Sequence, residues 1–288
     1  MSTNQHEPAE LIYFLHIPKT SGTSLAEILL EVGGPGAVVP PVLWDHLITG
    51  AYVVSESTRI ITGHLAGLFP LWLRRWPRII TMLREPRARA LSHINHVQRE
   101  PSHPWFAEGS KLSVEQYCNH PVFRRSVDNL QARHLASLQF SLALLPDSPD
   151  RSAVKPSETV GLAFNRALFS LDRMTGLYDA AVHALRSIEC VGITEAHRHS
   201  LRLFARKLHW QIPLEERRKN IATSGQRSLD SLSATELELL TDLNTVDLAV
   251  YRFACGHFRE LCQQSGIELD QAFLDWSEQF QENWSKAA

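Results

Sequence analysis

The sequence predicts an α/β fold with a central, mostly parallel sheet flanked by helices and a helical C-terminal third. Three observations predict it. Short apolar runs of strand length stand at Leu11–Leu15, Arg59–Thr62, Arg78–Leu83 and Glu189–Ile193. Helical stretches lie between them, and strands separated by helices argue for βαβ units and a parallel sheet. From Ala234 onward the chain reads as helix throughout: Ala234–Asn244, Asp247–Gln263 and Leu269–Trp284.

The elements follow in order. Residues 1–9 read as a disordered tail and 10–288 as a single domain. Leu11 to Leu15 makes a short buried strand. Pro18, Lys19, Thr20, Ser21 and Gly22 turn the chain, Thr23, Ser24 and Leu25 open a helix, and Gly33-Gly34-Pro35-Gly36 stops it. Val38 to Trp44 carries Pro40-Pro41, which suits an irregular or edge piece. Arg59-Ile60-Ile61-Thr62 ends at Gly63-His64, with a helical stretch from about Phe69 to Trp76. Arg78 to Leu83 is closed by Arg84-Glu85-Pro86, and Pro86 starts a helix over Arg87–Val97, where a missing N–H costs nothing. Residues 99–112 read as loop, Val114–His120 and Val127–Leu138 as helices. Leu145–Thr159 is a long loop with three prolines, a candidate lid or acceptor-contacting segment. Leu162–Leu171 reads as helix, Arg173–Leu177 as a weak strand, Ala180–Ser187 as helix. Glu189–Ile193 is a further strand, Thr194-Glu195 starts a helix through Leu208, and Pro213–Gln226 is a charged loop.

Composition bounds the function. With 288 residues, 44% hydrophobic and 21% charged, the chain is an ordinary globular protein. A net charge of −2 argues against a broad nucleic-acid or anionic-membrane surface, but allows a local basic pocket. Cys118, Cys190, Cys255 and Cys262 are scattered with no C-x-x-C, which predicts reduced, buried thiols and a cytoplasmic protein. Met1 to Glu10 has no basic region followed by an apolar stretch, so no secretory signal is expected. No apolar run approaches the ~20 residues of a transmembrane helix.

Leu11 to Leu25 carries the chemistry. Strand, turn and helix start together make a phosphate-holding geometry: unpaired N–H groups point out of the helix and its dipole favours an anion. Lys19 adds a point charge, Ser21, Thr23 and Ser24 add hydroxyls, and Gly22 lets the backbone approach closely. The order G-x-x-x-x-G-K-[ST] is absent.

His16-Ile17-Pro18-Lys19-Thr20-Ser21-Gly22-Thr23-Ser24-Leu25 resembles the 5′-phosphosulfate loop of sulfotransferases that use 3′-phosphoadenosine 5′-phosphosulfate (PAPS), in particular the family of heparan sulfate 2-O-sulfotransferases and their bacterial relatives. The resemblance implies a P-loop-like fold, PAPS as donor, adenosine 3′,5′-bisphosphate as product and a hydroxyl-bearing acceptor: saccharide, glycolipid or small metabolite. It assigns Lys19 to the leaving group and Thr20, Ser21, Gly22, Thr23 and Ser24 to the 5′-phosphate. A second match, Ile79 to Ser92, implies that Arg84 and Ser92 grip the 3′-phosphate, with Glu85 where the family more often has Asp. Arg87 and Arg89 are expected on a solvated helix face. Thr62-Gly63-His64-Leu65 matches a Gly-His pair that carries the catalytic base, so His64 is the candidate base; an imidazole suits that work near neutrality.

Weaker matches leave alternatives open. Asp128-Asn129-Leu130-Gln131-Ala132-Arg133 resembles a family segment beside the cleft; Asn129 and Arg133 contact cofactor or acceptor, or form one polar helix face. Val191–Glu195 resembles a strand end whose glutamate either caps a helix or binds. Arg217-Arg218-Lys219-Asn220 is a basic loop that either covers the 3′-phosphate or is a solvated cluster. Asn244–Phe253 reads as core, spaced for one helix face. Among the other histidines, His16 packs beside the strand or serves in the loop, His93 and His96 could face the cofactor, and His197 and His199 follow Glu195. None has zinc-site spacing, and no metal is expected. Two rivals stand beside this reading: a small-molecule kinase with an atypical phosphate loop, and a non-catalytic nucleotide-binding protein on the same fold.

Overall fold

In a computed structural model, residues 10–34, 38–42, 57–64, 70, 73, 76–143, 175–211 and 226–287 are described. Residues 1–9, most of 65–75, 144–174 and 212–225 lie outside this set. With them fall the expected tail, the Phe69–Trp76 and Leu162–Leu171 helices, the 145–159 loop, and Arg218 and Lys219.

Strands β1 (Ile12–Leu15), β2 (Val38–Val42), β3 (Ile60–Gly63), β4 (Arg78–Leu83) and β5 (Cys190–Ile193) form one sheet in the order β2-β3-β1-β4-β5, with every pairing parallel. Every residue of β1 is buried, as a central strand covered on both faces requires. β2 is an edge strand whose register shifts between Val39 and Val42, across the two prolines that donate no ladder hydrogen bond.

Helix α1 (Gly22–Gly33) follows β1 and ends at Gly34, whose φ of 73° suits glycine. Helix α2 (Pro86–Arg99) follows β4, then come the short helices α3 (Phe106–Gly109) and α4 (Val114–Asn119), α5 (Leu130–Ala143), α6 (Leu177–Ser187) and α7 (His197–Leu208). Helices α8 (Ala234–Asp242), α9 (Thr245–Gln264) and α10 (Gln271–Ala287) close the chain as a helical C-terminal part. Buried α9 residues Leu248, Tyr251, Cys255, Phe258 and Cys262 recur every three or four positions, placing one face against the sheet. At β5, a Cβ on Gly192 would stand 2.3 Å from Met82 Sδ, so glycine lets β4 and α7 close in.

Three expectations are corrected. Leu177 begins a helix instead of ending a strand: Leu177, Ala181, Ala184 and Leu185 are buried at helical spacing, after Gly176 at φ 84°. The 99–112 stretch contains α3. Helix α5 starts at Leu130 and not Val127, because a 3₁₀ turn spans Phe123–Ser126 and Asn129 takes φ 44°. All four cysteines are buried free thiols, as expected. Among the described residues, no helix is long and apolar enough to cross a membrane.

Candidate active site

The sheet order creates the site. The chain leaves β1 for β2 and β3 on one side, then crosses to β4 and β5 on the other. The carboxyl end of β1 is therefore flanked by strands whose connections run opposite ways, the place where open parallel sheets bind ligands. Leu15 stands level with Gly63 of β3 and Thr81 of β4. The same edge thus carries the 16–21 turn, His64 after β3, Arg84 after β4 and Glu195 after β5.

The turn is built from left-handed backbone. Lys19 and Ser21 have φ of 71° and 65°, on either side of Thr20. Such alternation turns successive N–H groups toward one concavity. It holds at a cost of ~1–3 kcal/mol per non-glycine residue, which the surrounding structure must offset. Ser21 is the N-cap of α1, yet its side chain makes no capping bond, and the first turn has no acidic residue. The positive end of the helix is left for another anion. Thr20 works inward: its hydroxyl donates to the Ile17 carbonyl at 2.9 Å and the residue is fully buried. Gly22 and Ser24 are buried, Thr23 is exposed and Ser21 is half-buried.

Arg84 reaches across to this turn. Its Nη1 donates to the Lys19 carbonyl at 3.3 Å. The Arg84 backbone is held by Gln131, whose Oε1 accepts from Arg84 N–H at 3.0 Å and whose Nε2 donates to Arg84 C=O at 2.8 Å. Beside it, Glu195 accepts from Glu85 N–H at 3.1 Å and from the Tyr251 hydroxyl. Glu85 caps α2, accepting from Ala88 N–H at 2.6 Å, and pairs with Arg87 at 2.7 Å. Ser92 is half-buried on α2, on the same face as His96 and Arg99, four and seven residues on. Lys19 senses that face. Burial, then the charges of Arg84 and Arg99, lower its pKa to about 8.

His64 joins the group. Its Nδ1 lies 3.1 Å from the His16 carbonyl, and a carbonyl only accepts, so Nδ1 carries the proton and Nε2 keeps its lone pair. The His16 and His64 rings lie 4.2 Å apart, tilted by 37°. Burial lowers the His64 pKa below 6.5, the His16 hydrogen bond opposes this, and Lys19 adds to the lowering. Burial also raises the Glu195 pKa, against the Tyr251 and Glu85 hydrogen bonds and the Arg84 charge. Both residues nevertheless keep exposed surface.

Several sequence-predicted roles change here. Asn129 and Arg133 serve the fold. Asn129 Oδ1 accepts from Val246 and Asp247 N–H, both at 2.9 Å, and so caps α9. Asp247 returns the bond pattern, accepting from Gln131 N–H at 3.1 Å and Ala132 N–H at 2.6 Å to cap α5. Arg133 is 1% exposed and donates to the carbonyls of Arg125 and Asp128. Arg89, expected in solvent, is fully buried; it donates to the Ser126 carbonyl at 3.0 Å, and burial lowers its pKa to about 10. The Asp247 charge opposes that lowering, while Nε and Nη1 are buried with no hydrogen-bond partner. The glutamate of Val191–Glu195 ties the Glu85 amide, at the start of α2, to Tyr251 of α9. Gln131, which no charge pattern flagged, emerges as the support of Arg84; its signal was its place two residues before Arg133 in the segment already singled out.

Among the described residues, no group of three or more His, Cys, Asp or Glu is arranged to hold a metal ion. No family model matches the chain, and no curated protein matches it.

Proposed function

We propose that this chain is a PAPS-dependent sulfotransferase acting on a hydroxyl-bearing acceptor (saccharide, glycolipid or small metabolite), on a P-loop-like sheet. The observation that carries the reading is the bond from Arg84 Nη1 to the Lys19 carbonyl at 3.3 Å, which joins two anion-holding turns well separated in sequence. Buried free thiols suit a reducing compartment, in keeping with a cytoplasmic enzyme.

The donor fits the residues. One phosphate end needs amide donors and a cation, and the turn offers the uncapped start of α1 with Lys19. The other phosphate end needs a forked cation, and Arg84 with Ser92 offers it. Bound PAPS supplies a sulfuryl group joined to a phosphate that can leave. His64 Nε2 accepts the acceptor's hydroxyl proton as its oxygen attacks sulfur in line. Lys19 stabilises the charge that grows on the departing phosphate oxygen. Arg84 and Ser92 hold the 3′-phosphate that separates PAPS from ATP.

The test offers ³⁵S-labelled PAPS and purified protein to a cell extract. Label should pass to an acceptor, and His64→Ala should slow the transfer by about 10²–10⁴-fold. The reading falls if the protein instead consumes ATP with Mg²⁺, or binds adenosine 3′,5′-bisphosphate with no transfer under any acceptor mixture.

A further inference from the structure

The imidazole of His16 stands where a side chain at position 22 would be. A Cβ on Gly22 would meet His16 Nε2 at 1.8 Å, Cδ2 at 2.0 Å and Cε1 at 2.7 Å. The ring has little room to yield. It is stacked on Phe14 at 5.1 Å and 13°, lies against His64 at 4.2 Å, and is 6% exposed. Its Nδ1 is buried with no hydrogen-bond partner, so packing rather than polar bonding holds it. The backbone of the same residue receives the His64 Nδ1–H bond at 3.1 Å. One residue therefore touches the central strand, the first turn of α1 and the candidate base.

We propose that His16 is a positioning residue: its ring is a wedge between the backbone of Gly22 and the ring of His64, so the conformation of the anion-holding turn sets the orientation of the base. The inference rests on the reading of His64 given above. It changes the reason for glycine at position 22. Glycine stands there to admit His16, and the ligand is not what excludes a side chain.

A wedge makes a specific prediction about paired substitutions. A methyl at position 22 should push His16 onto His64; with the ring removed, the same methyl should be harmless. The experiment compares wild type, Gly22→Ala, His16→Ala and the double variant. One readout is calorimetric binding of adenosine 3′,5′-bisphosphate. The other is the ring ¹⁵N spectrum of His64, which reports tautomer and titration midpoint. The groups facing that ring are His16, Lys19 from the turn and His134 from α5.

Gly22→Ala should weaken binding about tenfold and displace the His64 ring signals, while the double variant should bind as His16→Ala does, a strongly non-additive pair. Should Gly22→Ala fail to fold, recovery of folded protein in the double variant supports the wedge equally. The proposal is overturned if Gly22→Ala leaves the His64 signals unchanged, or if the two losses simply add. If no variant binds the bisphosphate while the His64 signals still follow residue 22, the wedge stands and the donor assignment falls.

Discussion

The side chain of Gln131 brackets the backbone of Arg84, accepting from its N–H at 3.0 Å and donating to its C=O at 2.8 Å. This is the pairing an amide makes with a strand neighbour, supplied by a side chain 1% exposed. It fixes the residue just past β4 at the point where the ladder has run out. The guanidinium is then free to leave the bracket in one direction, toward Lys19.

If Arg84 binds the proposed donor, Gln131→Met should weaken that binding through Arg84. Its loss leaves two backbone groups unpaired and Arg84 free to turn. We expect about a tenfold loss of affinity for adenosine 3′,5′-bisphosphate, equivalent to ~1.4 kcal/mol, by calorimetry. Unchanged affinity would show that Arg84 needs no such support.

Arg84→Ala tests the proposed assignment of Arg84 to the 3′-phosphate. Hydrogen bonds to charged groups contribute ~1.5–3 kcal/mol, so binding of the 3′,5′-bisphosphate should fall about 10- to 100-fold. Adenosine 5′-monophosphate has no 3′-phosphate, and its affinity should stay within about twofold of the wild-type value. Equal losses for both ligands would place Arg84 at the 5′ end instead.

The pH dependence follows from two lowered pKa values with opposite consequences. Lys19 is pushed down to about 8, chiefly by burial. A bound phosphate favours its charged form and raises that value, so affinity should be flat between about pH 7 and 8, where the phosphates are already ionised, and fall as pH rises above 8. On the proposed reading His64 acts as the neutral base, and burial lowers its pKa below 6.5. The acid limb of kcat/KM should therefore lie below pH 6.5 and disappear with His64→Ala. Lys19→Ala should cut turnover more than binding and remove the fall in affinity above pH 8. An acid limb above pH 7 would reject His64.

Asn129→Ala should act on stability. It removes the acceptor of two α9 amides and puts alanine at φ 44°, a left-handed backbone that asparagine tolerates better. We expect a loss of ~1–3 kcal/mol in denaturant unfolding, with ligand affinity corrected for the unfolded fraction unchanged. Asp247→Ala, at the other half of the reciprocal cap, should couple to it non-additively.

Much of the frame was legible because it is local. Buried runs such as Ile12–Leu15 announce strands, Pro40-Pro41 marks an edge, and Pro86 after Arg84-Glu85 marks a helix start. Legibility failed where burial overrode residue type. Arg89 and Arg133 look like surface cations, and Asn129 looks like a ligand contact. Nothing local records that their partners lie on other helices or across the α4–α5 connection.

The sequence by itself determined the strand–turn–helix at residues 12–33, because apolar runs, turn residues and helix starts act over a few positions. It also determined the types of group at each strand end: Lys19, His64, Arg84 and Glu195. The tertiary structure alone decided that these ends share one edge, since only the order β2-β3-β1-β4-β5 brings β3 and β4 to either side of β1. It alone decided the tautomer of His64, through a carbonyl 48 residues away in sequence. It decided the reason for Gly22 as well, because a steric wedge depends on where the His16 ring points, and a ring's direction is set by packing on Phe14 and His64.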